Sequence, residues 1–251
     1  MSALLSHISL LQISLVVVVT AVSAVLGGIA GYGTGPLMPL VLVPLVGAKP
    51  VVPIIAISSM FTNGARLSAF RNVLHVRLAL MACAAALPTC ILGAWLYTLL
   101  SGRGAAIVIG STLIATVPVR RVLKRRGHQL GEKAFTAAAA GWGVLVGGTS
   151  GAGVVLLSLL LASGLESTAV IATDSAISLA TGVLKLSTFG LAGLLTPTVI
   201  AIGLLMGLIG FPCTFLAKLI VARIPVHVHT AILDVIVIVG GTVMIIGALI
   251  D

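Results

Sequence analysis

Carboxylates are the scarcest chemical group in this chain. Five Asp and Glu stand against 14 Lys and Arg in 251 residues. Charged residues of both signs together make up 8% of the sequence, and hydrophobic residues 59%. With a mean hydropathy of +1.29, there is more apolar sequence than a soluble core needs. A water-soluble globule is therefore excluded. Cysteine is nearly absent as well. Cys83, Cys90 and Cys213 all lie in apolar segments. Three thiols cannot all pair, and their spacing matches no metal site, so they read as small core residues. No G-x-x-x-x-G-K-[ST] occurs, which removes P-loop ATP hydrolysis. No cofactor and no bound metal is expected.

What is there is length in apolar runs. Leu78–Leu100, Pro197–Leu216 and Thr230–Ile250 each run about 20 residues almost without charge, enough to span a bilayer core. The fold class expected is an all-α polytopic membrane protein. A membrane β-barrel would show short alternating segments instead. The net charge of +9 then reads as basic cytoplasmic loops, and nucleic acid is not expected as a partner. The first apolar run ends in "AVSA", like a signal-peptide cleavage site. It lacks a basic leader and runs straight into glycines, so it is expected to be the first membrane segment.

The chain reads as one unit written twice. "GGIAGYG" at Gly27 matches "GGTSGAG" at Gly147, "SMFTNGARLSAF" at Ser59 matches "SLATGVLKLSTF" at Ser178, and "LPTCIL" at Leu87 matches "FPCTFL" at Phe211. The offsets are 120, 119 and 124 positions. Three matches in register indicate internal duplication. The division is a first transmembrane repeat, residues 1–119, a basic cytoplasmic linker, 120–133, and a second repeat, 134–251. Each repeat has a glycine-broken segment (Ile8–Val46, then Phe135–Ser163), followed by three transmembrane helices. These are Pro50–Phe70, Leu78–Leu100 and Ala105–Val119, then Ser167–Phe189, Pro197–Leu219 and Thr230–Ile250.

Charge orients the repeats. Arg120, Arg121, Lys124, Arg125 and Arg126 place the linker in the cytoplasm, and "RNVLHVR" at Arg71–Arg77 fits the same side. In the second repeat the matching loop, Gly190–Thr196, is uncharged, and the next carries Lys218 and Arg223. Basic loops that swap places between halves predict inverted topology. Inversion needs an odd number of crossings per repeat, so each glycine-broken segment is expected to be a re-entrant hairpin with both termini outside. Localisation follows as a membrane, multi-pass.

Broken backbone at membrane depth persists only where it is buried in protein or lines a wet cavity. A helix that restarts after a break points its free N–H groups and dipole into that cavity, and glycine lets an anion come close. The expected binding groups at the breaks are Gly31, Gly33, Thr34 and Gly35, then Thr149, Ser150, Gly151 and Gly153. Close helix packing is the plainer use of the same glycines, though the three-residue spacing of Gly28 and Gly31 suits it poorly. Beside the breaks, Ser59, Thr62 and Arg66 share a helix face, and Ser178, Thr181 and Lys185 repeat it. Snorkelling to the interface is the alternative for both cations. Asp174 extends the second stripe near mid-membrane, where a bare carboxylate costs on the order of 3 kcal/mol. It is expected to carry a proton or to pair with a cation, with Asp234 a weaker candidate of the same kind. Asp174 matches Ile55 of the first repeat.

"GYGTGPLMP", Gly31–Pro39, set in a twice-written chain of this length, resembles the sulfite exporter TauE/SafE family, also called the toluene sulfonate uptake permease family. The resemblance covers essentially the whole chain. The family's G-x-G-G-G run is met at Gly31, Gly33 and Gly35, with Thr34 in place of the middle glycine, and its proline appears as Pro36 and Pro39. The second copy matches only at Gly151 and Gly153 and lacks the proline. The resemblance implies a secondary transporter that moves sulfite or an organosulfonate across the bacterial inner membrane, driven by an ion gradient.

The expected partners are a small anionic substrate and the lipid bilayer, and the composition leaves homo-oligomerisation open. Two other readings remain. One is a membrane subunit that anchors a partner without transporting, although short loops leave little surface for docking. The other is an intramembrane serine protease, because "GTSG" at Gly148–Gly151 resembles the rhomboid G-x-S-G with Ser150 as nucleophile. Such a serine needs a base within hydrogen-bond reach, and His7, His75, His128, His227 and His229 all fall at predicted membrane edges or in loops. No enzymatic activity is expected. "VHVHT" at Val226–Thr230 lacks the partners of a metal site.

Overall fold

The computed structural model describes residues 10–30, 34–126, 130–220 and 226–250. They form ten α-helices: α1 (Leu10–Ala30), α2 (Thr34–Val46), α3 (Val51–Phe70), α4 (Val76–Thr98), α5 (Gly102–Arg126), α6 (Glu132–Gly148), α7 (Gly153–Ala162), α8 (Ser167–Leu191), α9 (Pro197–Ile220) and α10 (Val226–Ile250). The chain is an all-helical polytopic membrane protein. Among the described residues, α4, α5, α8 and α9 are long and apolar enough to cross a membrane. Their outward faces carry large apolar side chains such as Leu80, Trp95 and Leu208, as lipid contact requires.

Each glycine-broken segment is a pair of helices. The first arm of each is longer than expected: α1 has 21 residues and α6 has 17. The second arms, α2 and α7, have 13 and 10. The basic stretch after Val119 is also more helical than a linker, because α5 continues to Arg126. Pro88 in α4 and Pro212 in α9 occupy the matched "LPTCIL" and "FPCTFL" positions inside their helices.

Helices pack in matching pairs across the two halves of the sequence. α1 packs on α9 as α6 packs on α4, and α3 packs on α9 as α8 packs on α4. The remaining large contacts join α3 to α8 and α5 to α10, each helix to its own counterpart. The groups that pack together are therefore α1, α3 and α9 on one side and α4, α6 and α8 on the other. They do not coincide with the sequence halves, because α4 and α9 have each crossed over. Two hydrophobic clusters reflect this. One joins Phe135, Trp142, Leu156 and Ile177 to the alanines of α4. The other joins Leu42, Ile54, Ile57 and Met206 to α5 and α10.

Small residues make the closest crossings. Gly143 and Gly147, a G-x-x-x-G pair on α6, lie directly against Ala86, Thr89 and Cys90 of α4, and Gly93 of α4 returns the contact at Val144 and Gly148. Any side chain at Gly143 or Gly147 would collide with α4 backbone. Gly110 and Gly241 face each other where α5 meets α10. Glycine thus serves packing in this chain as well as the breaks, and Gly147 and Gly148, the first two glycines of the matched motif, pack against α4 themselves.

Candidate functional site

The break in the second repeat runs from Thr149 to Ala152. Thr149 ends α6 in extended backbone, with φ −153° and ψ −177°. Gly151 turns the chain at φ +91°, a region where L side chains are strained. There is no room for one either: a Cβ would sit 2.8 Å from Leu113 Cδ2. Trp142 Nε1 donates to the Ala152 carbonyl at 2.9 Å, tying the break to α6. The break also meets its counterpart. Ser150 Oγ donates to the Gly35 carbonyl at 2.7 Å, and a Cβ at Gly35 would lie 3.2 Å from Gly151 Cα. The starts of α2 and α7 therefore come together from the two repeats.

They meet at a cavity of about 100 Å³ between the two packing groups, walled by α3 on one side and α8 on the other. Several water-sized molecules fit in such a volume. Of the residues singled out from sequence, Gly35, Ser59, Arg66, Thr149, Ser150, Gly151, Gly153, Asp174, Ser178, Thr181 and Lys185 all line it. Gly31 and Gly33 lie outside the described residues, as does the side chain of Thr34. Thr62 is buried but does not line the cavity. Its hydroxyl donates back to the Ser59 carbonyl at 3.4 Å, and its methyl faces Gly210 of α9. Asp234 lies elsewhere. Arg120 grips both of its carboxylate oxygens and Arg121 adds a contact at 3.5 Å, so it joins α10 to α5.

Two cations and one carboxylate face the cavity. Lys185 is 8% exposed, and its Nζ donates to the Thr149 carbonyl at 3.3 Å. Among the described residues, no carboxylate lies within 4.0 Å of that nitrogen. A buried ammonium held only by a carbonyl leaves most of its charge uncompensated. Arg66 is held differently. Its Nη2 donates to Asn63 Oδ1 at 2.8 Å, and its Nη1 lies 4.0 Å from Asp174 Oδ2. Neither cation snorkels to a surface. The other carboxylate oxygen, Asp174 Oδ1, is buried without a hydrogen-bond partner.

Asn63 was not singled out from sequence, although it lines the cavity and orients Arg66. Its spacing was the available signal, since it precedes Arg66 by three residues on the same helix face. Pro36 and Gly182 also line the cavity unannounced. The serine-protease geometry is not assembled. Ser150 spends its proton on Gly35, no described histidine lines the cavity, and the His75 ring caps α4 by accepting from Leu78 N at 3.3 Å.

No curated protein and no solved structure matches the chain. The profile of the family described as Sulfite exporter TauE/SafE matches residues 12–244, from the first turn of α1 to the last turns of α10. A match over nearly the whole length, covering both breaks and both polar helices, places the chain in the sulfite exporter TauE/SafE family of membrane transporters.

Proposed function

We propose that the protein is a secondary transporter of a small sulfur oxyanion, sulfite or an organosulfonate, across the bacterial inner membrane. The observation that carries this reading is Lys185: a buried cation with no carboxylate beside it among the described residues, at a helix break, on the wall of a cavity. An anion bound there would supply the missing counter-charge. The starts of α2 and α7 would add the positive ends of two helix dipoles, and Ser178 would add a hydroxyl.

The exchanged packing supports two repeats inverted across the bilayer, with the basic end of α5 in the cytoplasm. Because α4 and α9 have crossed over, the units that rock are the α1–α3–α9 and α4–α6–α8 groups rather than the sequence halves. The cavity lies on the α3–α8 seam between them, so sliding along that seam would open it to one side or the other. Asp174 is the carboxylate in position to take a proton during the cycle, while Asp234 is held by Arg120 and Arg121 away from the cavity.

The test is flux of radiolabelled sulfite into proteoliposomes, with and without an imposed pH gradient, competed by methanesulfonate and by sulfate. Gradient-driven flux that methanesulfonate blocks is expected. Folded protein that moves none of these anions would end the reading.

A further inference from the structure

The 119-residue offset that pairs Ser59 with Ser178 and Arg66 with Lys185 pairs Ile55 with Asp174. The cavity therefore has a cation at each of two related positions but a carboxylate beside only one. Along α8, Asp174 and Lys185 are 11 residues apart, about 16 Å of helix at 1.5 Å per residue. Asp174, beside Arg66, and Lys185 thus join the cavity wall from positions about three helical turns apart.

The carboxylate at the Arg66 end is loosely held. Its closest approach to the guanidinium is 4.0 Å, beyond hydrogen-bond length, and Oδ1 has no hydrogen-bond partner among the described residues. This chain can build a tight pair, because Arg120 engages both oxygens of Asp234. Charge-assisted pairs that serve structure close to about 2.7–2.9 Å. A pair that stays open, on a cavity wall, with a bare carboxylate oxygen, has the geometry of an exchangeable counter-ion.

We infer that Asp174 is a tethered competitor for the substrate anion. The Arg66 end, with Asn63, is a second station for the same class of small oxyanion, and Asp174 occupies its charge whenever the substrate is absent. An anion arriving from Lys185 displaces the carboxylate from Arg66. The carboxylate returns as the anion leaves, so neither cation holds the substrate permanently. This rests on the anion-transport reading above.

The experiment is equilibrium binding of radiolabelled sulfite to the purified full-length protein, as wild type, Asp174→Asn, Asp174→Glu and Lys185→Gln. With the competitor's charge removed, Asp174→Asn should bind sulfite about tenfold more tightly and take up a second ion per chain. Asp174→Glu, one methylene longer, should close the 4.0 Å gap and weaken binding. One ion per chain at wild-type affinity in Asp174→Asn overturns the inference. If that variant is not monodisperse, unchanged affinity in Asp174→Glu overturns it instead. Lys185→Gln tests the underlying reading separately: wild-type binding there removes the Lys185 site, while the ratio of Asp174→Asn to wild type still judges the competitor. Sulfite bound by Asp174→Asn but not by wild type supports the inference. Sulfite bound by neither overturns both.

Discussion

The Arg66 and Lys185 sides of the cavity carry one sequence pattern, and they hold charge in different ways. At the first, a carboxylate and an amide share the guanidinium. At the second, the ammonium has a backbone carbonyl from the helix break and nothing anionic among the described residues. The matched stretches give two similar positions. Two differences set them apart: Asp174 where the first stretch has Ile55, and Asn63 where the second has Gly182. One end can be electrically complete when empty, and the other is complete only with an anion.

The comparison can be strained most by Arg66→Gln. It would leave Asp174 buried without its counter-charge, and removing one partner of such a pair costs about 3 kcal/mol or more. A clear fall in the thermal midpoint in detergent is expected. Lys185→Gln strands no carboxylate, so its midpoint should hold, but sulfite affinity should drop roughly 30-fold with the loss of a charge-assisted bond. Equal losses of stability in both variants would erase the distinction between the ends. Lys133, exposed at the start of α6, serves as control, and Lys133→Ala should bind as wild type.

Making the ends alike is the next test. Ile55→Asp places a carboxylate at the position matching Asp174, on the cavity wall, and should weaken sulfite binding about tenfold by competing for Lys185. Ile55→Asn controls for polarity and size and should bind more tightly than Ile55→Asp. The smallest effect belongs to the serines. Ser59 Oγ already donates to the Ala56 carbonyl at 2.8 Å, so Ser59→Ala should change little. Ser178→Ala should cost about threefold in affinity, the worth of a modest hydrogen bond. A larger loss for Ser59→Ala in the same binding assay would put the anion nearer the Arg66 end.

Much of this was legible in the sequence because it is local. Helix length follows from apolar runs, breaks follow from glycine clusters, and a stripe of hydroxyls ending in a cation follows from 3.6-residue periodicity. Lys185 and Thr149 stood out for separate reasons, and the fold joined them. What could not be read depends on partners far along the chain. Asp234 looked like a mid-membrane carboxylate until Arg120, 114 residues away, came to meet it. Thr62 shared the spacing of its neighbours, yet helical rotation turns it towards Gly210 on α9. The Gly143–Gly147 pair was visible as letters, but its use depends on α4 arriving with Ala86 and Cys90 at the right height. The crossing-over of α4 and α9 has no sequence signal at all, since a repeat pattern is the same whichever copy a helix packs against.

That crossing-over also sets an order on synthesis. α1 is made well before its principal neighbour, α9, which begins at Pro197. At 5–20 residues per second the ribosome needs roughly ten to forty seconds between the two. Throughout that interval Val16 and Ala24, buried in the finished fold, lack their permanent surroundings. An early helix is thus seated late, and a nascent chain stalled before α9 would display α1 without its main partner to whatever surveys the membrane for unfinished proteins.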